Sequence, residues 1–263
     1  MVSLSVLVVV VMLLAGALFF AIQQESFQNY LKDKALPYLE DLLGTRVELE
    51  RISVRFPDKL LLQGLLVEDL QGDTLLAMQE LEVDIDMRRL LKREVVVEHL
   101  GVDGVKSHVY RLRDDRYNYE FLMDAFAADS VPEPVDADTT RLNIKIELHT
   151  LSFGGVDVRF DDDSLMHAQV RWEELEVAIS ELDLDRVRFG LGKMELKNAE
   201  VELRMPGAVD VSKGFNPGHI RLQRLGLQLS DIVYNSDTIA ATLASMSFRE
   251  QSGLVLNQLS MAV

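Results

Sequence analysis

Hydrophobic and polar residues alternate with a period of two along most of the chain after residue 45. The clearest run covers residues 142–148 and reads LNIKIEL. Side chains two positions apart in a β-strand point to the same face, so each such run gives a strand with one apolar and one polar face. The pattern therefore predicts a mainly β protein whose sheet grows strand by strand.

A finer repeat lies on this alternation, with the form apolar–x–apolar–x–x–apolar–x–apolar. It begins at ten positions: Val47, Leu76, Val95, Ile146, Val170, Leu182, Met194, Ile220, Ala241 and Leu254. Without correction, the two halves of each repeat would face opposite sides of the sheet. The two adjacent residues at the centre of the repeat, the x–x step, form what we call the doubled polar pair. A β-bulge at this pair would keep all four apolar residues on one face and would bend the strand. The repeat predicts an elongated, curved, antiparallel or mixed sheet that forms an open hydrophobic groove.

The first stretch of the chain has a different pattern, because residues 2–22 are uncharged and almost wholly apolar. As an α-helix these residues would span about 32 Å, enough for a hydrocarbon core of about 30 Å. A cleaved signal peptide would have a shorter apolar region with basic residues before it. We therefore predict an uncleaved transmembrane anchor with everything after Ile22 outside the cytoplasm, built around Leu7, Val10, Leu14, Leu18, Phe19 and Phe20.

Helical periodicity follows over residues 26–43, with Ser26 as the expected N-cap and Gly44 as a left-handed stop. Pro37 is expected to bend or restart this helix. Its apolar stripe contains Phe27, Tyr30, Leu31, Tyr38, Leu39 and Leu42. The stripe either packs on the following sheet or lies along the membrane surface, and one helix can do both.

The domain organisation predicted from these patterns has five parts. The anchor (1–22) is followed by the amphipathic helix (23–44) and an N-terminal β-rich groove domain (45–126). An acidic, proline-containing stretch (127–140) has the composition of a linker. The repetitive β segment (141–263) stops within a repeat, which predicts that the sheet continues in a longer protein.

Composition narrows the classes of function. The net charge of −16 and the pI near 4.7 argue against binding to nucleic acid and against electrostatic docking on anionic lipid. The absence of cysteine excludes disulfides, cysteine metal sites and thiol catalysis. The five histidines form no metal-binding or catalytic motif, and the run 161–163 is typical of a turn rather than a calcium loop. We predict no enzyme activity and no cofactor.

The apolar faces of the strands need a cover, and no helix of useful length follows residue 140. A second sheet, closure into a barrel, or a ligand with a hydrocarbon surface would each bury such a face. An uncovered face of several hundred Å² would be a liability, since its burial is worth about 25 cal/mol per Å². The predicted groove positions are Ile144, Ile146, Leu148, Val170, Trp172 and Val177.

The N-terminal half resembles the AsmA-like/TamB proteins of Gram-negative envelopes, especially the Bacteroidetes-type members. The resemblance rests on residues 43–45 before the first strand, on 65–76, on 81–86, and on the aromatic–Asn–aromatic step at 117–122. It covers about residues 1–126 and contains no catalytic signature. From residue 141 onward it rests on the style of the repeat.

The resemblance implies an inner-membrane protein whose β-rich body crosses the periplasm as a groove lined with apolar side chains. Such a protein would conduct phospholipid toward the outer membrane, with acyl chains as its immediate partners. The alternative that the family implies is a TamB-type scaffold for the assembly of outer-membrane proteins, acting with an Omp85-type barrel through a C-terminal part that this chain lacks.

Overall fold

The structure is a computed structural model, which describes residues 24–55, 58–90, 94–129, 143–145, 148–183, 188–209, 211, 214–234 and 239–262. The predicted anchor at 1–22 and most of the predicted linker lie outside these residues. Within the described ranges, no helix is both long enough and apolar enough to cross a membrane.

The described elements are mostly strands. The helices are α1 (Glu25–Leu43), α2 (Met87–Leu90) and α3 (Glu120–Asp129). The strands of the first half are β1 (Val47–Glu48), β2 (Arg51–Arg55), β3 (Lys59–Glu68), β4 (Thr74–Ile85), β5 (Glu94–Asp103) and β6 (Lys106–Tyr110). Those of the second half are β7 (Asn143–Lys145), β8 (Thr150–Asp162), β9 (Met166–Asp183), β10 (Arg188–Arg204), β11 (His219–Tyr234), β12 (Ile239–Glu250) and β13 (Val255–Ala262). The prediction of a mainly β protein is confirmed.

The described strands join into one mixed, thirteen-stranded sheet. Its main path runs β1, β3, β4, β5, β8, β9, β10, β11, β12, β13, and all neighbours in it are antiparallel except β5 and β8. Strand β6 also pairs in parallel with β8, and β7 pairs in parallel with β5. The sheet is therefore continuous from the N-terminal β-rich part to the repetitive segment, on either side of the predicted linker.

Several of the predicted bulges lie at the doubled polar pairs, on β5 and β10–β13, while the pair of the repeat at Leu182 lies outside the described residues. Asn198 and Arg224, each the second residue of such a pair, have φ of 48° and 52°, and Gly155 has φ of 58° opposite the pair of β9. On β5 and β12, the ladders skip Glu98 and Ala244. The extra residue restores the phase of the apolar positions on both sides of the bulge.

Helix α1 runs without a break through Pro37 and packs on the sheet. It begins at Glu25, with Gln24 at the N-cap and no side-chain cap, so the predicted N-cap at Ser26 is wrong. The predicted stop is confirmed, because Gly44 is left-handed and its N–H donates to the carbonyl of Glu40. The core beneath α1 consists of Leu43, Val47 and Val67, with Leu36, Leu39, Leu42, Leu65, Leu76, Phe121, Leu122 and Ala125 around it.

A buried carboxylate fastens the start of α3 to the turn between β3 and β4. Asp69 is 1% exposed and accepts hydrogen bonds from the Tyr110 hydroxyl at 2.7 Å and the Asn118 amide at 3.0 Å. Burial raises the pKa of Asp69, but these bonds and two backbone N–H groups outweigh it and lower the pKa overall. The contact holds α3 beside α1 over the first strands.

We predict that Gly155→Ala destabilises the protein by about 1–2 kcal/mol, since the added Cβ is strained at positive φ. The site has room for the atom, whose nearest neighbour would be 3.7 Å away, so the cost comes from the backbone. Gly192→Ala is the matched control, with neighbours at 3.9 Å and no left-handed φ. Urea denaturation should show an effect of Gly192→Ala within about 1 kcal/mol of zero. Equal costs for the two variants would contradict the bulge geometry.

Candidate functional site: the apolar face of the sheet

The cross-strand registers place apolar side chains side by side across ten strands. One row consists of Val54, Leu60, Val83, Leu100, Leu151, Val177, Met194, Leu229, Leu243 and Met261. The next row consists of Ile52, Leu62, Leu81, Val102, Phe153, Leu175, Leu196, Leu227, Met246 and Leu259. Directly paired residues share a face, and nine steps of about 4.8 Å make each row about 43 Å long.

Further apolar rows lie beyond the line of bulges. One contains the pairs Leu65–Met78, Val156–Trp172, Ala199–Leu225 and Phe248–Leu256. Another contains Val47, Val67, Leu76, Val158, Val170, Val201 and Leu222. Because each bulge restores the phase, these rows lie on the same side as the first two. The four rows together define what we call the apolar face.

The apolar face is covered at the first strands and largely uncovered at the last ones. The described helices pack on the first five strands and on each other, and they make no extensive contact with β8–β13. Among the described apolar residues of those six strands, those that are buried are Val156, Val177, Ala199 and Leu225. Most others are half-buried, and Leu259 and Met261 at the edge are 42% and 53% exposed.

The opposite face is polar, and its strands are joined by pairs of opposite charge. These pairs are Arg171–Glu200, Lys197–Glu174, Arg221–Glu202 and His219–Glu202. Arg221 makes two hydrogen bonds to Glu202, at 2.6 and 3.1 Å, and with His219 it lowers the pKa of that carboxyl despite partial burial. Such exposed pairs contribute about 0–1 kcal/mol each, so their main effect is to fix which face meets water.

A depression of about 310 Å³ lies on the polar face where Gly101 and Gly154 leave space between strands. Its rim carries carboxylates, namely Glu80, Glu82, Asp103, Glu174 and Glu176. Two of them have basic partners, Lys59 for Glu82 and Lys197 for Glu174. Across the described parts of the chain, no group of three His, Cys, Asp or Glu residues could hold a metal ion. The apolar face is therefore the stronger candidate site.

The structure places three of the predicted groove residues together on the apolar face. Val170, Trp172 and Val177 lie on the apolar face of β9, where Val177 is buried and the other two are half-buried. Leu148, two residues before β8, is also half-buried. The backbone of Ile144 pairs with Val95, while its side chain and all of Ile146 lie outside what the structure describes, as do the predicted anchor residues.

Sequence reasoning predicted groove character for residues 45–126 as well, but it identified no groove residue there and did not foresee that the early strands share rows with β9. Val54, Leu60 and Val83 are in register with the groove positions of β9, yet they were assigned to a separate domain. The sequence signal that could have indicated the shared rows is the doubled polar pair, because it recurs in both parts of the chain. The predicted stripe of α1 also proves to be two faces, since Leu39 and Leu42 pack on the core while Tyr30 and Tyr38 are exposed.

Comparison with known families finds no family model that matches the chain, and comparison with curated proteins finds no match. The resemblance to AsmA-like/TamB proteins therefore remains a prediction.

We predict that Trp172→Phe changes the free energy of unfolding by less than about 1 kcal/mol. The indole N–H of Trp172 is buried with no hydrogen-bond acceptor, and removing such a group relieves about 1–3 kcal/mol, which offsets the lost ring contacts. Leu175→Ala, which removes apolar contacts with no polar relief, should cost about 2 kcal/mol. Urea denaturation followed by circular dichroism measures both. A larger cost for Trp172→Phe would mean that the indole has an acceptor.

Proposed function

We propose that this protein is an envelope protein, anchored by residues 2–22 in the inner membrane of a Gram-negative bacterium, that conducts phospholipid toward the outer membrane. The acyl chains lie on the apolar face, which serves as the floor of a groove across the periplasm. This function needs no catalytic residue and no cofactor.

The continuity of the apolar rows is the observation that carries the proposal. Two rows cross ten strands with an apolar side chain at every step. A sheet that needed only a local core would tolerate polar interruptions between strands. Over β8–β13, where the face is largely uncovered, an unbroken apolar surface suits a ligand that must remain in hydrocarbon while it moves.

The size of the uncovered part supports a functional surface rather than incidental exposure. The five intervals between six strands, at about 4.8 Å each, and the three intervals between four rows, at about 7 Å each, enclose roughly 500 Å² over β8–β13. This area is comparable to the largest apolar patches of ordinary monomers, which are often functional. Its side chains are mostly aliphatic with a few aromatics. Glu250, which pairs with Leu222, is a buried exception whose carboxylate accepts hydrogen bonds from Ser252 in the adjoining turn. Such a surface selects for hydrocarbon rather than for a polar ligand.

The polar face supports the same orientation. Charged pairs there keep one side of the sheet in water, so the apolar side is left for the ligand. A protein scaffold is the alternative, and it would use the edge of β13, which among the described strands pairs only with β12. Strand addition at that edge would involve backbone groups and would leave the apolar face unused.

The test is photo-crosslinking from a benzoylphenylalanine introduced into the full-length, membrane-anchored chain. Probes at Leu175, Leu196 and Leu227 on the apolar face should yield adducts with phospholipid acyl chains. A probe at Gln223, which is exposed on the polar face of β11, should not. Adducts with protein alone at all four positions would refute the conduit and favour the scaffold.

We further predict that Leu227→Asp lowers the phospholipid that co-purifies with the protein by about tenfold or more. An unpaired carboxylate against hydrocarbon costs more than the 1.4 kcal/mol that a tenfold change requires. Because the face is open, that carboxylate can reach water in the lipid-free protein, so circular dichroism should remain unchanged. Gln223→Asp adds the same charge to the same strand on the polar face and should leave bound lipid unchanged, as measured by mass spectrometry.

A further inference from the structure

Helix α1 carries two apolar faces with different surroundings. The aliphatic face, formed by Leu36, Leu39, Leu42 and Leu43, packs against Val47 and Val67 of the sheet. The aromatic face, formed by Phe27, Tyr30 and Tyr38, is 37%, 57% and 59% exposed. Successive helical residues turn by 100°, which places these three aromatics within about 80° of one another. The aromatic face adjoins the aliphatic face at Leu42, about 40° from Tyr38, and lies about 120–180° from Leu36.

Polar contacts fix the rotation of α1 about its own axis. The Lys32 ammonium donates to the backbone carbonyl of Glu50 at 3.3 Å, and the Glu40 carboxylate accepts from the backbone N–H of Val47 at 3.4 Å. Together with the packed leucines, these contacts hold one side of the helix against the first strands. The aromatic face must therefore point away from the sheet.

The position of α1 in the chain indicates what lies against the aromatic face. The apolar stretch 2–22 ends two residues before Gln24, and the helix begins at Glu25. If that stretch spans the membrane, as the proposed function requires, then Phe27 and Tyr30 are only a few residues from the bilayer surface. Tyrosine has an apolar ring and a polar hydroxyl, and is enriched at this boundary.

Charge favours an aromatic rather than an electrostatic contact. Helix α1 contains two lysines and four carboxylates, so its formal charge is −2, and the whole chain carries −16. Attraction to anionic headgroups would need an excess of basic residues. Contact with the bilayer must then depend on burial of the rings in the interface.

We propose that the aromatic face of α1 docks on the surface of the bilayer that holds the anchor, while its aliphatic face holds the sheet. The helix would thereby fix the angle at which the apolar face leaves the membrane, so that its first strands stand beside the lipid. This inference rests on the proposed anchor and adds to it the side chains that meet the membrane.

Fluorescence quenching by lipids brominated near the headgroup end of their acyl chains tests the proposal, because Trp172 is the single tryptophan of the chain. In a Trp172→Phe background, Tyr30→Trp places the reporter on the aromatic face of the full-length protein. In vesicles of brominated phosphatidylcholine, we expect its emission to fall at least twofold relative to vesicles of ordinary phosphatidylcholine.

Asn29→Trp in the same background is the matched control. Asn29 is exposed and neighbours Tyr30 in sequence, but lies about 100° around the helix and on the side away from the aromatic face. Its emission should change little with brominated lipid. Adding phosphatidylglycerol or 0.5 M salt should not alter the Tyr30→Trp result, because the contact is not electrostatic. Quenching that is equal at both positions, or absent at position 30, would overturn the docking.

The same vesicles separate this inference from the proposed function. Native Trp172 lies on the apolar face, and in the unmodified protein its quenching reports acyl chains on that face. Quenching at position 30 without quenching at Trp172 would support the docking and count against the conduit. A blue-shifted but unquenched signal at position 30 would show that protein, such as a second copy, covers the aromatic face, and would refute the docking.

Discussion

The fold depends on one geometric constraint, which is that each strand must change its phase at the same place as its neighbours. A strand that keeps strict alternation through its doubled polar pair would turn half of its apolar residues toward water. The left-handed residues Gly155, Asn198 and Arg224 absorb the extra residue where these pairs occur. Since paired strands share a register, an error in one strand would interrupt every row that crosses it. The bulges are therefore a property of the sheet rather than of single strands.

The same constraint separates the chemistry of the two faces. Carboxylates and basic residues alternate across strands on the polar face, and each exposed pair adds little to stability. Most aliphatic residues on the other face are only half-buried over β8–β13, so they contribute less than a closed core would. A packed cluster lies instead at the first strands, where α1 and α3 cover Leu43, Val47 and Val67. The sheet thus combines a packed end with an end that leaves its apolar side chains available.

The sequence was sufficient to predict the strands, the bulges and the stop of α1 at Gly44, because these depend on local patterns of residues two or three apart. It was not sufficient for the parallel pairing of β5 and β6 with β8. These strands are far apart in the sequence, and local alternation does not indicate which distant strands pair. Nor did it separate the two faces of α1. Apolar periodicity shows which helical positions are alike, whereas only the packed structure shows that Leu39 meets a sheet and Tyr38 does not.

The transition from a covered to an uncovered apolar face distinguishes the possible ways of burying it. A second sheet or a closed barrel would bury equivalent positions in every strand to a similar extent. Within the row of Val67 the burial differs, because Val67 of β3 is 7% exposed beneath α1, whereas Leu222, the equivalent position of β11, is half-buried. Neighbouring rows also bury single residues of the later strands, namely Val156, Val177, Ala199 and Leu225. The helices are attached to the N-terminal strands by short connections and the Asp69 network, so they cannot extend to the later strands. A cover for β8–β13 must therefore conform to a surface that repeats along the sheet. Flexible hydrocarbon chains do this without any specific contact, which a folded protein cover would require at each strand.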